Sequence, residues 1–410
     1  MRGANASLRS TAQTISRYLH IIGYEMASYR LRVPAPTIRD RQFSKPLLCG
    51  PGPNDIYPAV AAAFDAPVMT PACEEYYKVI EDIRTGIQYA FQTRSKLVLA
   101  VSGSGHAGME TVISNLMAPG ELLLVPSRGI WDERAKDMAR RYGIRVESIT
   151  TSEPFTTFSF EELESALERH RPAGLFITHG DSSTGTLQAL KGLGHLCHKY
   201  GTLLLVDTVA SLGAEPLLMD EWGIDGTYAS CQKALSGPAG VSPVAFSSRA
   251  ETKIFSRSTN PPFYFDIKLL ARQWRCYDNN FFYHHTLSSP LLWALRACLF
   301  LLAQESLPRV WARHAAVAAH FHARLRTCGF RFLVRKPEDR MTAVTTIKLG
   351  MDCNVFVEQF RSKHNIMITP GLGPTAGAAV RVGLMGVTAR PDVADRVADA
   401  IADVATSIKL

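Results

Sequence analysis

From Lys96 to Phe246 the chain alternates short apolar runs with helix-patterned segments, and no other feature constrains its fold as tightly. The runs read "KLVLAVSG", "ELLLVPS", "IRVESI", "AGLFITHG", "TLLLVDT", "GTYAS" and "VSPVAFS". Between them lie "AGMETVISNLM", "WDERAKDMARRYG", "SFEELESALERH" and "ALKGLGHLCHKYG". Apolar runs without polar alternation suit strands covered on both faces, and the helical stretches between them suit crossovers. The spacing predicts an α/β fold with a mainly parallel, seven-stranded sheet over about residues 70 to 300. Ser159, three residues before Glu162, predicts a capping box at one helix start.

A long helical stretch, "LLWALRACLFLLAQESLPRVWARHAAVAAHFHARLRTCG", leads out of the sheet. Its apolar residues recur at helical spacing, so Trp293, Phe300 and Trp311 are expected to pack rather than to form a cofactor box. Beyond it, "TAVTTIKL" and "AVRVGLMG" predict strands, and residues 391–408 an amphipathic helix. These make a small C-terminal α/β domain. The expected organisation is a basic extension over 1–46, a large domain over 47–303 and a small domain over 304–410.

Composition then removes several classes of function. The apolar runs fall far short of the roughly 20 residues that cross a bilayer, so no membrane span is expected. The eight cysteines include no CxxC pair, which disfavours a zinc ribbon and a disulfide scaffold. His284 and His285 lack companions at metal-ligand spacing, so no metal site is expected. The net charge of +8 resembles a nucleic-acid footprint only until it is located. Residues 1–46 hold seven Arg and Lys45 against Glu25 and Asp40, so that segment contributes +6 and the rest only +2; no nucleic-acid partner is expected. The opening Arg-, Ser- and Thr-rich stretch has the bias of a mitochondrial transit peptide, or is a disordered basic tail. Met26 offers an internal start that drops it, and the final "SIKL" approximates a peroxisomal address.

The chemistry-bearing residues fall at strand ends. Asp207 closes "LLLVD", at the carboxyl edge where open α/β sheets bind ligands. A carboxylate there needs a cationic or hydrogen-bonded partner, such as a protonated pyridine nitrogen; it can also serve as a helix cap. Lys233 follows one crossover later in "YASCQKALSGPAG". Alone it reads as a solvated charge; beside Asp207 it reads as an amine desolvated for covalent attachment of a cofactor aldehyde. In "VSGSGHAGMETVISNL" a strand, a glycine-rich turn and a helix place Ser104, Gly105 and His106 where free amides can hold a phosphate, although such glycines also make ordinary turns. Ser182 in "THGDSSTG" and Trp131 in "GIW" follow two further strands, Trp131 being suited to stacking on a flat ring or to a core position. Arg381 in "AVRVG" suits bidentate carboxylate binding or an outward strand face.

These segments, in this order, resemble the class V aminotransferases of fold type I, and within them the alanine-glyoxylate (serine-pyruvate) group. The resemblance runs from about Leu47 to Ala405 and takes in "GPGP", "VSGSGHAGME", "GIW", "THGDSSTG", "LLLVDTVASLG", "CQKAL", "YHHT" and "VRVGLMG". It implies pyridoxal 5'-phosphate carried on Lys233, with Asp207 at its ring nitrogen, Trp131 stacked on the ring, and Ser182 and Gln232 hydrogen-bonded to it. Ser104, Gly105 and His106 would line the phosphate cup, joined by Tyr283 and Thr286 from the second subunit of a homodimer. Arg381 would bind the substrate carboxylate, and Pro51 and Gly52 would help close a tight pocket.

The implied reaction moves the amino group of alanine to glyoxylate in two half-reactions, with serine-pyruvate transamination as a possible companion. Lys233 would carry the proton between substrate and cofactor. Two departures bear on the donor: Cys231 replaces the group's usual serine, and Ser236-Gly237-Pro238-Ala239-Gly240 replaces Asn-Ala-Pro-Pro-Gly. They leave 3-hydroxykynurenine open as an alternative donor. A cysteine desulfurase would instead need a cysteine poised over the cofactor, for which Cys353 is the candidate. Small amino and 2-oxo acids, a second copy of the chain and organelle import receptors are the expected partners, in the peroxisome, the mitochondrial matrix or both.

Overall fold

The computed structural model describes residues 44–407 and, before them, only positions 13, 14, 17, 36, 37 and 39. The basic extension, Met26 and the final Ile408-Lys409-Leu410 therefore lie outside the described residues.

Seven strands form the main sheet: β1 (Val98–Ser102), β2 (Leu122–Leu124), β3 (Arg145–Glu147), β4 (Gly174–Thr178), β5 (Leu203–Asp207), β6 (Gly226–Tyr228) and β7 (Val241–Phe246). Their spatial order is β3-β2-β4-β5-β6-β7-β1. The pairs from β3 to β6 are parallel, and β7 is antiparallel to both neighbours. Every residue of β4 and β5 is buried, which is why neither shows polar alternation. Register places Thr178 beside Asp207 and Asp207 beside Tyr228, so three strands end together at one edge.

The crossovers are helices α1 (Glu74–Phe91), α2 (Gly105–Leu116), α3 (Ile130–Arg141) and α4 (Phe160–His170), with a shorter one at Leu193–Lys199. α4 carries the expected capping box: the Glu162 amide donates to the Ser159 hydroxyl at 3.2 Å, and the Ser159 amide to the Glu162 carboxylate at 2.8 Å. α2 packs closely on the sheet because residue 108 is glycine; a Cβ there would sit 2.2 Å from the Ser242 hydroxyl and 2.9 Å from Tyr228 Cβ.

The long helical stretch is two helices, α5 (Ser289–Glu305) and α6 (Leu307–Thr327), bent by 85° at Ser306. Ser306 has φ +72, and Pro308 in the next turn lacks the N–H that continuing α5 would require. Trp293 and Trp311 are half-buried against the main core, but Phe300 is 54% exposed and does not pack as expected. It lies on the solvent side of a helix whose buried face is carried by Leu292, Leu295, Leu299 and Leu302.

Past α6, strands β8 (Arg331–Phe332), β9 (Val344–Lys348), β10 (Thr369–Pro370) and β11 (Ala379–Gly383) form an antiparallel sheet in the order β8-β9-β11-β10. It shares an apolar core with Val317, Phe321, Phe356, Phe360 and the helix Pro391–Ser407. The first strand among the described residues, Leu47–Leu48, pairs with Ile366–Met367, and Cys49 belongs to this second core. No helix among the described residues is long and apolar enough alone to cross a membrane.

Candidate active site

The carboxyl ends of β1, β2, β4 and β5 converge on a cavity of about 200 Å³. Asp207 stands at its floor, 3% exposed, where burial raises its carboxyl to about pKa 7. One carboxylate oxygen accepts the Val209 amide at 2.8 Å, and the buried Tyr228 phenol is its neighbour across the register. Lys233 faces it from the turn after β6. Burial is the main cause that lowers this ammonium to about pKa 8; the positive Arg381 lowers it further, and Asp207 opposes both. Its Nζ donates to the Pro51 carbonyl at 2.5 Å. A partly neutral, directed amine opposite a buried carboxyl that makes no salt bridge among the described residues is a pair suited to a ligand with an electrophilic carbon and a basic ring nitrogen.

The cavity's far end is the start of α2. Ser104 is the N-cap residue, its hydroxyl makes no capping bond, and Ser104, Gly105 and His106 all line the cavity. First-turn amides have no partner within their own helix, and the helix end carries partial positive charge, so this end accepts an anion. Gly105 is required by packing: a Cβ would lie 2.9 Å from Val209 Cγ2. Burial, and after it the nearby Arg134, lower the His106 imidazole below its ordinary value.

Trp131, in the first turn of α3, forms the side wall with its ring edge-on to His106, centroids 5.9 Å apart. Its Nε1 donates to the Ser182 hydroxyl at 3.1 Å, tying the two walls together. Ser182 itself stands in a turn built by Asp181, whose carboxylate accepts the Ser183 amide at 2.7 Å, the Ser183 hydroxyl at 2.6 Å and the Thr184 amide at 3.3 Å. Gln232 lines the cavity and accepts the Ser230 hydroxyl.

Arg381 approaches from β11. Its Nε donates to the Pro370 carbonyl and its Nη1 to the Ser182 carbonyl, both at 3.0 Å, which fixes the guanidinium beside the Ser182 turn. Gly52 presses on Lys233 from above: with φ +106, a Cβ there would come within 2.4 Å of the lysine Cδ, so only glycine fits. Tyr283 and Thr286 do not reach this cavity in their own chain. They bond each other at 2.6 Å, with Tyr283 53% exposed.

Six further lining residues, Pro53, Met109, Gly180, Val209, Ala210 and Tyr228, fall within the quoted segments but were not singled out in the sequence. Tyr228 sits in a run indistinguishable from a buried strand, and only its register beside Asp207 distinguishes it. The two departures noted in the lysine segment also change meaning. Cys231 is fully buried against Cys298, and Ser236 is buried against Asn54 and Val387; neither lines the cavity, so neither bears on the donor by contact. Cys353 is buried in the second core with its thiol on the Met351 carbonyl, which leaves a desulfurase without its cysteine.

A primary amine, an anion-accepting helix start, a flat aromatic wall and a buried carboxyl without a salt bridge among the described residues together fit pyridoxal phosphate. Each polar part of that cofactor meets a complementary group, and the buried Asp207 gains the cationic partner that its site otherwise withholds.

Comparison with known proteins gives a consistent result. The family model for aminotransferase class-V matches residues 66–393. Alanine–glyoxylate aminotransferase of Rattus norvegicus is 42% identical over 381 residues, covering 92% of each chain. The Drosophila melanogaster protein of the same name is 40% identical over 386 residues, covering 93% of this chain and 98% of that one. The crystal structure of alanine–glyoxylate aminotransferase from Nostoc sp. superposes with a TM-score of 0.85 at 37% identity, covering 91% of this chain and 98% of that one.

Proposed function

This chain belongs to the class-V aminotransferases, and from that premise we propose that it transfers the amino group of alanine to glyoxylate, yielding pyruvate and glycine. The observation that carries the reading is the opposition of Lys233 and Asp207 across a cavity ending at the start of α2. The names and coverage of its animal and cyanobacterial relatives support the choice of substrates. Serine as donor and pyruvate as acceptor form a secondary activity in the same site.

When bound, pyridoxal phosphate supplies an aldehyde carbon that condenses with amines and a ring that accepts the electron pair left at the substrate's Cα. The chain's own groups do the rest. The amides of Gly105 and His106, with the Ser104 hydroxyl, hold the phosphate. Asp207 would face the ring nitrogen, where its carboxylate would favour the protonated ring and that pairing would offset the cost of burying its charge. Trp131 fixes the ring plane, while Ser182 and Gln232 orient its polar edge. Arg381 takes the substrate carboxylate in the fork left free by its two carbonyl bonds. Lys233, lowered toward neutrality by burial, would receive the proton from the substrate's Cα and deliver it to the carbon of the cofactor that began as the aldehyde.

Tyr283 and Thr286 are proposed to complete the phosphate site of a second subunit in a homodimer. Residues 47–303 are proposed as the large cofactor-binding domain and 304–410 as the small one; the two apolar cores support a two-part organisation, with Leu307 and Val310 packed in the first core and Cys49 in the second. The basic segment over 1–46 and the Ser-Ile-Lys-Leu end support import into mitochondria or peroxisomes.

Borohydride reduction of the cofactor-loaded protein tests the central assignment. The reduced cofactor is expected on the peptide containing Lys233, with Lys233→Ala unlabelled and inactive with alanine and glyoxylate. Label on another lysine, or near-normal turnover in Lys233→Ala, rejects it.

A further inference from the structure

The segment over Pro51–Tyr57 holds the turn that carries Lys233 at both ends, and residue 54 makes both attachments. The Asn54 amide N–H donates to the Gln232 carbonyl at 2.9 Å, immediately before the lysine. Its side-chain amide donates to the Ser236 hydroxyl at 3.0 Å, three residues after it. The Tyr57 amide adds a bond to the Ser236 carbonyl at 3.2 Å. Between these attachments lies the Pro51 carbonyl that accepts the lysine Nζ.

The same cluster reaches the strand that carries Arg381. β11 ends at Gly383, and the turn that follows meets the lysine turn directly. The Val387 amide donates to the Ser236 hydroxyl at 2.9 Å, and the Thr388 hydroxyl donates to the Asn54 side-chain carbonyl at 3.2 Å. Asn54 also donates to the Met385 carbonyl. A Cβ on Gly386 would come within 2.0 Å of the Ser236 hydroxyl and 2.6 Å of the Ala234 carbonyl, so the two turns touch without slack. Asn54, Ser236 and Thr388 are all buried, so these bonds face no competition from water.

We propose that Asn54 and Ser236 are positioning residues for the transamination: their buried pair fixes the Lys233 turn under the Pro51 carbonyl and sets its spacing from the strand that carries Arg381. This rests on the reading of Lys233 and Arg381 given above. The lysine must reach the substrate Cα while the arginine holds the carboxylate one bond away, so loss of the pair misplaces two groups that act on one small molecule. A displacement of about 1 Å at such a site can cost on the order of a hundredfold in rate. The charged groups facing Lys233 are Arg381 from β11 and Asp207 from β5, and neither is removed when the pair is broken.

Asn54→Ala and Ser236→Ala test this, with the reciprocal double variant Asn54→Ser/Ser236→Asn as rescue. Ser236 has φ +48, a conformation asparagine tolerates well, so the exchange keeps one amide and one hydroxyl facing each other without new backbone strain. Two readouts separate positioning from general loosening. In the apo protein, the pH midpoint of cofactor association reports the Lys233 amine; hydration of a loosened turn is expected to raise it by about one unit in both alanine variants. In the loaded enzyme, kcat with alanine is expected to fall about tenfold or more, with KM changed less than about threefold. The double variant should move both values back toward the parent. Parental midpoint and kcat in Ser236→Ala, the gentler truncation, overturn the proposal, as does a double variant no better than the single ones. A parent protein that binds cofactor but does not transaminate would refute the proposed reaction instead, and the association midpoint would still decide this inference.

Discussion

At the residue scale, the site trades stability for chemistry at Asp207. Its carboxyl is raised from an ordinary carboxylate value to about pKa 7, first by burial. The folded apo protein therefore binds a proton that the unfolded chain releases between about pH 4 and 7, so apo stability falls as pH rises through that window and levels off above it. Asp207→Asn keeps the shape without the charge. Apo Asp207→Asn is expected to melt higher than the parent at pH 8 and to match it near pH 4, while losing most cofactor affinity and turnover. Differential scanning calorimetry at both pH values checks this; an apo variant less stable than its parent at pH 8 would refute it. Asp207 and Lys233 were legible in sequence because each ends or follows an apolar run. Asn54 was not, because its hydrogen-bond partner Ser236 lies 182 residues away and a polar residue after a Gly-Pro turn reads as an ordinary loop position.

At the element scale, α2 positions the anion end of the cavity, and its placement depends on close contact with the sheet. Gly108→Ala introduces a Cβ into the space held by Ser242 and Tyr228. The helix must shift outward, at a cost expected to be about 1–3 kcal/mol. The shift also withdraws the Gly105 and His106 amides, so phosphate competition against cofactor binding should weaken along with the melting temperature. Unchanged stability and unchanged cofactor affinity would contradict this account of the helix. Periodicity identified this helix and the strand before it, because both obey local rules. It marked the stretch of α5 and α6 as helical without locating the bend, which depends on the backbone conformation of Ser306. Phe300 was misplaced for the same reason: helical spacing identifies an apolar residue without deciding which side of a mostly apolar helix meets solvent.

At the scale of the whole molecule, the proposed site joins two sheets, with Asp207 on the mainly parallel one and Arg381 on the antiparallel one. The order of the motifs in sequence announced this convergence, but the contacts that enforce it, Asn54 and Ser236 on Met385–Thr388, depend on tertiary placement alone. A homodimer predicts a solution mass of twice 45.1 kDa. It also predicts complementation: mixing Lys233→Ala with Thr286→Ala subunits under exchange should create one intact cofactor site per mixed dimer, checked by light scattering and cofactor titration. A stable monomer with full activity would contradict the shared site.

The central claim is tested most directly by a single half-reaction. Cofactor-loaded protein mixed with alanine in the absence of any 2-oxo acid should release one pyruvate per subunit and lose its visible absorbance; glyoxylate added afterwards should restore the absorbance and yield one glycine. Absence of pyruvate on mixing with alanine, in protein shown to carry the cofactor on Lys233, would contradict the account.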